Sequence, residues 1–141
     1  MNKIKVVELW EVRKDCVILD VRSPGEFKKG QIPGAFNLPV FSDYERARVG
    51  TLYRRRSREV AFLEGLDFIA PKLRFFVEEA KRLAPYKKIL IHCWRGGLRS
   101  QSMAVLLEAA GFSCQILEGG YKAYRAYCRE VLLDRNAHLI L

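Results

Sequence analysis

The chain has 141 residues, a formal net charge of +9 and a hydrophobic fraction of 50%. This length suits a single domain, and the hydrophobic fraction provides a core, which excludes an intrinsically disordered chain. Because no apolar run approaches the roughly 20 residues that span a bilayer, we expect no membrane partner. The N-terminal residues lack the apolar core of a signal peptide, so we expect a cytoplasmic protein.

The spacing of apolar residues predicts strands that alternate with helices. Such alternation is typical of a mostly parallel sheet with helices on both faces, so we expect an α/β fold. Ligands of such sheets bind beyond the carboxyl ends of the strands, where the loops after Asp20 and His92 lie. The sequence predicts strands over 17–21, 35–38, 88–92 and 114–117. It predicts helices over 6–13, 24–29 and 98–110, and a last helix from 121 to about 133. The stretch over 42–81 is predicted to be mostly helical, with breaks near Gly50, Gly65 and Pro71.

The loop after His92 carries the strongest chemical signal, in the sequence HCWRGGLRS over residues 92–100. Its cysteine, Cys93, precedes a helix whose unpaired N–H groups and dipole stabilise an anion. A cysteine in such surroundings is a thiolate at neutral pH. Two glycines let successive amides turn inward and two arginines add cationic donors, namely Gly96, Gly97, Arg95 and Arg99. The same loop would hold a terminal persulfide anion, which is what a carrier of sulfur or selenium needs.

The pattern HCxxGxxRS also matches the signature of cysteine-dependent protein phosphatases, which hold phosphate in the same kind of loop. A phosphatase needs a general acid for its leaving group, and neither Asp43 nor Asp67 lies in a recognisable acid loop. The loop by itself leaves both chemistries open.

Three other cysteines, Cys16, Cys114 and Cys128, are scattered without CxxC spacing or nearby paired histidines. This arrangement favours neither a zinc site nor a disulfide framework. We therefore predict that all three are packing residues and that the protein binds no metal.

A basic segment over residues 46–58 is opposed only by Glu45 and Glu59. Such a cluster forms either a solvated helix face or a contact surface for RNA or another acidic surface. The predicted nucleic-acid-binding residues are Arg46, Arg48, Arg54, Arg55, Arg56 and Arg58.

Residues 20–39 read DVRSPGEFKKGQIPGAFNLP, which closely resembles the N-terminal signature of rhodanese domains, with Gln31 in place of the usual histidine. Residues 117–121, LEGGY, resemble the rhodanese ending. Neither stretch is a phosphatase feature, so the resemblance implies a rhodanese-like fold. Within it, Asp20 and Arg22 are expected to pair and to brace the loops at the sheet edge.

Three narrower motifs, ERARVGTLY (45–53), CWRGGLRSQS (93–102) and LEGGYKAYR (117–125), resemble the N-terminal half of the tRNA 2-selenouridine synthase family. The resemblance implies replacement of sulfur by selenium in 2-thiouridine at the tRNA wobble position. It implies selenophosphate and geranyl diphosphate as substrates, no bound cofactor, a tRNA partner and no DNA partner. It makes Cys93 the essential cysteine and implies that the substrate-binding residues are Trp94, Arg95, Gly96, Gly97, Leu98 and Arg99.

The sequence departs from the family pattern in two ways. Five residues separate Cys93 from Arg99, one more than in the commonest sulfur-transferring rhodaneses, and a wider loop suits a tetrahedral group such as selenophosphate. Members of the family also continue into a P-loop domain, whereas this sequence contains no GxxxxGK[ST] and ends on the apolar run HLIL. We therefore expect a rhodanese domain over 1–135, and over 136–141 the start of a strand or linker toward a P-loop domain or subunit.

Three alternatives to selenium transfer remain open at this point. The first is a general sulfurtransferase that acts on thiosulfate or on a protein persulfide. The second is a cysteine phosphatase, and the third is a noncatalytic binding module, which the intact Cys93 disfavours.

Overall fold

The computed structural model describes the backbone of residues 2–140 and the side chains of residues 2–134. Within these residues, the strands are β1 (Asn2–Ile4), β2 (Val17–Asp20), β3 (Phe36–Asn37), β4 (Lys88–His92) and β5 (Ser113–Leu117). The α-helices are α1 (Leu9–Val12), α2 (Pro24–Lys29), α3 (Asp43–Arg55), α4 (Arg58–Ile69), α5 (Leu73–Leu83), α6 (Leu98–Ala109) and α7 (Gly120–Ile140). Short 3-10 turns cover Val6–Glu8 and Ala70–Lys72.

The five strands form one parallel sheet in the order β1-β5-β4-β2-β3. Its central strand, β4, alternates between the two faces, as a strand with a side-chain period of two must. Ile89 and Ile91 belong to a cluster that includes residues of α5 and α6, whereas Leu90 belongs to a second cluster that includes Leu9 of α1. Tyr121 of α7 packs against the second cluster. Helices therefore cover both faces, which confirms the predicted α/β class.

The strand order places a crevice at the carboxyl ends of β2 and β4. From β2 the chain moves outward to β3, whereas from β4 it moves to β5 on the other side. The two loops that leave these neighbouring strands therefore diverge, and this divergence is where open parallel sheets bind ligands. The register pairs Asp20 with His92 at this edge, so the loops that the sequence singles out are neighbours.

The stretch over 42–81 is helical as predicted, but two of its three predicted breaks are wrong. Gly50 lies inside α3 and Gly65 inside α4, and the chain instead breaks at Arg56 and Ser57. The Ser57 hydroxyl accepts a hydrogen bond of 3.1 Å from the Val60 amide and so caps α4. A Cβ at Gly65 would meet Phe41 at 3.3 Å, which indicates that this glycine permits close packing rather than a break.

Both chain ends differ from the prediction. Residues 2–4 form an edge strand, β1, that pairs with residues 115–117 of β5, although the sequence shows no strand pattern there. Helix α7 continues to Ile140, in a segment for which the sequence predicts a strand or linker; its role as the start of a further domain stays a prediction. Leu141, the last residue of that predicted segment, lies outside the described residues.

No helix in the described part of the chain combines the length and the apolar character that a membrane crossing requires.

Candidate active site

Cys93 follows β4 directly, and its side chain is only 3% exposed. Its Sγ lies 3.2 Å from the Oγ of Ser100, in the first turn of α6. The sulfur is therefore held at the N-terminus of a 12-residue helix, as the sequence predicts. The free amides of that turn and the helix dipole stabilise an anion there.

In the loop over residues 93–97, here called the Cys93 loop, four carbonyl groups accept hydrogen bonds from neighbouring parts of the protein. The carbonyls of Cys93 and Trp94 accept hydrogen bonds from the amides of Tyr121 and Lys122, at 2.9 and 3.0 Å. The carbonyls of Gly96 and Gly97 accept from the side chain and the backbone of Gln101. Among the described residues, the amides of residues 94–97 donate to no protein acceptor. Those amides are therefore available to an anion held by the loop.

The turn between β5 and α7 fixes this geometry through a close approach of two backbones. Gly120 has a φ of +59°, and a Cβ on it would lie 2.5 Å from the carbonyl oxygen of Cys93 and 2.7 Å from that of Trp94. Only glycine fits both requirements. The LEGGY motif therefore has a structural role that the sequence analysis missed, although its paired glycines were the available signal.

Ser100 is a second residue that the sequence analysis missed. Its hydroxyl donates to the carbonyl of Gly97 at 3.0 Å and also contacts the Cys93 sulfur. A hydroxyl in this position accepts from a thiol, and after rotation it donates to a thiolate or persulfide anion. Its place at the end of the HCxxGxxRS pattern was the signal that could have found it.

Arg99 does not point freely at the sulfur. Its guanidinium contacts the carboxylate of Glu26 with Nη1–Oε1 and Nη2–Oε2 distances of 2.6 and 3.3 Å. Arg95 is exposed and forms no ion pair with the residues whose side chains are described. The two arginines of the motif therefore have different surroundings. Arg99 is held by the Glu26 carboxylate, and Arg95 faces solvent.

Glu26 joins three helices at the site. Besides Arg99 of α6, its Oε1 lies 3.1 Å from Arg46 Nε of α3 and accepts from the Ser23 amide at the start of α2. Burial alone would raise the pKa of Glu26, but the hydrogen bond and charge of Arg99, with the Ser23 amide and Arg46, hold this pKa below its usual range. Glu26 is therefore an ionised tether, and sequence reasoning missed it because its partners are remote in sequence.

Asp20 and Arg22 form a buried pair with an Nη2–Oδ2 distance of 2.7 Å. Arg22 also donates to the carbonyl of Gly30 at 2.7 Å, so the pair braces the loop after β2. His92 is fully buried, with its Nε2 at 3.6 Å from Asp20 Oδ2. Burial lowers the pKa of His92 despite the Asp20 carboxylate, which favours a neutral histidine with a structural role.

The other cysteines lie away from the loop. Cys114 is buried in the core, and burial raises its pKa to about 12. Burial also raises the pKa of Cys16, which donates to the Val12 carbonyl. Cys128 is half-buried on α7. The four cysteines are free, and no cluster of metal-binding side chains occurs among the described residues.

The structure divides the basic segment into separate parts. Arg46 lies beside Glu26 at the site, and Arg48 pairs with Glu64 of α4. Four exposed arginines cluster at the junction of α3 and α4, about 14 Å farther along α3 at 1.5 Å per residue; they are Arg54, Arg55, Arg56 and Arg58. The segment therefore contributes one arginine to the site and a separate exposed cluster at the other end of the helix.

The rhodanese-like domain family matches residues 6–127 of this chain. The chain is 36% identical over 134 residues to the tRNA 2-selenouridine synthase of Shewanella denitrificans, covering 88% of this chain and 35% of that protein. It is 40% identical over 114 residues to the synthase of Salmonella agona, covering 79% of this chain and 31% of that protein. The chain thus spans about a third of the length of the curated relatives it matches.

Among solved structures, a similar one is the N-terminal domain of a protein described as ATP/GTP binding, from Clostridium difficile 630. It superposes with a TM-score of 0.77 at 34% identity, and the match covers 90% of this chain and 98% of that one. The shared domain is therefore matched over nearly its whole length.

Gly120→Ala should displace the Cys93 loop, because the added Cβ meets two backbone carbonyls and the left-handed φ is unfavourable for alanine. We expect a loss of about 3 kcal/mol or more in the free energy of unfolding and a changed rate of Cys93 alkylation. Gly97→Ala is the matched control, since its Cβ meets nothing within 4 Å. Equal denaturant midpoints for the two variants would contradict this account of Gly120.

Glu26→Gln should destabilise the protein at pH 7 by about 1.5–3 kcal/mol, the range for hydrogen bonds to charged groups. The native pKa of Glu26 is lowered, so its stabilisation is complete above the unfolded value of about 4.3 and is lost as pH falls through the native value. Denaturant unfolding at pH 3–7 should therefore show a shallower acid dependence in the variant. Glu78→Gln, in an exposed pair with Arg74, is the control, and equal slopes in wild type and Glu26→Gln would refute the tether.

Proposed function

Since the chain belongs to the rhodanese-like family, we propose that Cys93 is the chalcogen-carrying nucleophile of a transferase acting on sulfur- or selenium-containing groups. We further propose that the chain is the rhodanese part of an enzyme that replaces sulfur with selenium in the wobble 2-thiouridine of tRNA. The proposal is supported by relatives named tRNA 2-selenouridine synthase at 36–40% identity. Selenophosphate and geranyl diphosphate are the proposed substrates of the complete enzyme.

One observation carries the proposal, namely the position of the Cys93 sulfur at the N-terminus of α6, 3.2 Å from the Ser100 hydroxyl. Four carbonyls of the Cys93 loop are hydrogen-bonded to the protein, whereas its amides have no protein acceptor among the described residues. Those amides are available to stabilise the anion that forms there. The low exposure of Cys93 restricts access of water to a bound persulfide. These features favour storage of a terminal sulfur or selenium anion on the cysteine.

The proposed loading step is a nucleophilic displacement. The Cys93 thiolate attacks the terminal sulfur or selenium of a donor, and an S–S or S–Se bond forms. The donor bond breaks with its electron pair on the leaving group, which is sulfite from thiosulfate or a thiolate from a protein persulfide or selenosulfide. The product anion, Cys93–S–S⁻ or Cys93–S–Se⁻, then lies against the loop amides.

Selenophosphate requires a different electron balance, because its selenium is already at the selenide level. Loading with release of phosphate therefore needs Cys93 in an oxidised form, such as a mixed disulfide with a small thiol. Water attacks phosphorus and selenide departs, and selenide then attacks the Cys93 sulfur and displaces the small thiol. The proposed product is the same Cys93–S–Se⁻ anion.

Cys93→Ala should abolish loading from both donors, whereas the Cys16→Ala, Cys114→Ala and Cys128→Ala variants should retain it, because Cys93 alone lies at the start of α6. The measurement is mass spectrometry of the intact protein after incubation with thiosulfate, or with selenophosphate after conversion to the mixed disulfide. An aryl phosphate serves as the test for phosphatase activity. Faster alkylation of another cysteine than of Cys93 at pH 7 would contradict the assignment.

The exposed arginine cluster at the junction of α3 and α4 is proposed to contact tRNA phosphates. Replacing Arg54, Arg55 and Arg56 together by alanine should weaken tRNA binding. The slope of the logarithm of the binding constant against the logarithm of the salt concentration should become shallower by about 0.7–0.9 per lost contact. Cys93 alkylation should stay unchanged. A gel-shift titration at two salt concentrations measures both effects.

The matched control removes three exposed lysines elsewhere, Lys3, Lys81 and Lys88, and should leave the salt slope nearly unchanged. Equal slopes for the two triple variants would show that the cluster has no special role. If the unmodified chain and the triple arginine variant both bind tRNA weakly, the result would favour the alternative that this cluster docks a P-loop domain.

A further inference from the structure

A pocket of about 460 Å³ opens beside the Cys93 loop. We call it the lateral pocket; the lining residues used here are Glu26, Lys29, Arg46, Trp94, Tyr121 and Arg125. Its volume lies within the range of about 300–1,000 Å³ that small-molecule sites occupy. Trp94, which lines the pocket, follows Cys93 directly in the chain.

The lining of the lateral pocket carries a positive excess that its own carboxylate does not neutralise. Glu26 is occupied by Arg99 and Arg46, and Arg22, which also lines the pocket, is occupied by Asp20. Lys29 and Arg125 are both exposed, and neither forms an ion pair with a carboxylate among residues 2–134. Two cations are therefore available for an anionic group of a ligand.

The aromatic residues of the pocket are not equivalent. The guanidinium carbon of Arg22 lies 4.1 Å from the Tyr121 ring centroid, which covers one face of that ring. Tyr124 and Trp94 approach Tyr121 at 5.9 and 6.1 Å. Trp94 is half-buried, with a single aromatic neighbour among the described residues. It is the ring in this pocket best placed to stack on a planar group.

We propose that the lateral pocket binds one nucleotide of a single-stranded RNA, with its base on Trp94 and its phosphate between Lys29 and Arg125. Unpaired bases stack on aromatic side chains, and basic residues hold the backbone beside them. A base on Trp94 lies one residue from Cys93, and consecutive Cα atoms are about 3.8 Å apart. The inference rests on the proposed function, because it supplies the contact that brings an RNA base to the chalcogen.

The experiment uses the full chain with Trp10→Phe, which leaves Trp94 as the sole tryptophan. Trp10 is 54% exposed and lies outside the pocket. A uridine trinucleotide should quench the Trp94 fluorescence in a saturable manner. Lys29→Ala with Arg125→Ala should raise its Kd about tenfold, the effect of losing one or more charge-assisted hydrogen bonds.

The matched control is Lys28→Ala with Arg129→Ala, which removes the same charges from the same two helices outside the pocket. Its Kd should change less than about twofold, because salt screens exposed charges at a distance. An equal loss in both double variants would overturn the pocket, since only overall charge would then matter.

Two competition arms test the ligand class. Uridine monophosphate should displace the trinucleotide at a lower concentration than inorganic phosphate, and a short RNA duplex should compete poorly. Displacement by inorganic phosphate at the same concentration, or equal competition by the duplex, would overturn base stacking on Trp94.

Sulfur loading of Cys93 from thiosulfate, measured by mass on the same protein, separates this inference from the proposed function. Quenching with normal dependence on Lys29 and Arg125 but without loading refutes the chalcogen carrier and supports the pocket. Loading without quenching refutes the pocket and supports the carrier.

Discussion

The active-site geometry depends on one backbone-to-backbone contact. The first amides of α7, from Tyr121 and Lys122, hold the carbonyls of Cys93 and Trp94, and Gly120 permits this approach because it has no Cβ. With those carbonyls held by α7, the amides of residues 94–97, which donate to no acceptor among the described residues, remain available for an anion.

The tether at Glu26 changes how an anion on Cys93 is stabilised. Since the Glu26 carboxylate holds Arg99 and Arg46 in ion pairs, the proposed anion on Cys93 depends mainly on the loop amides, the Ser100 hydroxyl and the N-terminus of α6. These are fixed dipoles that need no reorganisation when the charge develops.

The local elements and the position of Cys93 could be predicted from the sequence, because they depend on short-range patterns. Residues 24–29 form a helix with a capping box, and Cys93 lies between a buried strand and a helix, as expected. Contacts between remote residues could not be predicted. Glu26 and Arg99 are 73 positions apart, and Gly65 resembles a helix break until Phe41 is placed against it. The edge strand at residues 2–4 could not be predicted either, because only its pairing with β5 identifies it as a strand.

These observations together indicate that fixed dipoles and charged side chains serve different parts of the crevice at the sheet edge. Divergent loops after β2 and β4 create one crevice, in which the sulfur lies on the side of neutral donors and the lateral pocket on the side of cations. If the cations faced the sulfur, a phosphate-bearing substrate and the chalcogen anion would compete for them. On the proposed function, separation across Trp94 lets the chalcogen anion and the RNA phosphate be held at once, as a transfer to the adjoining base requires. The same reasoning explains why Arg22, although cationic and close to the pocket, is neutralised by the buried Asp20.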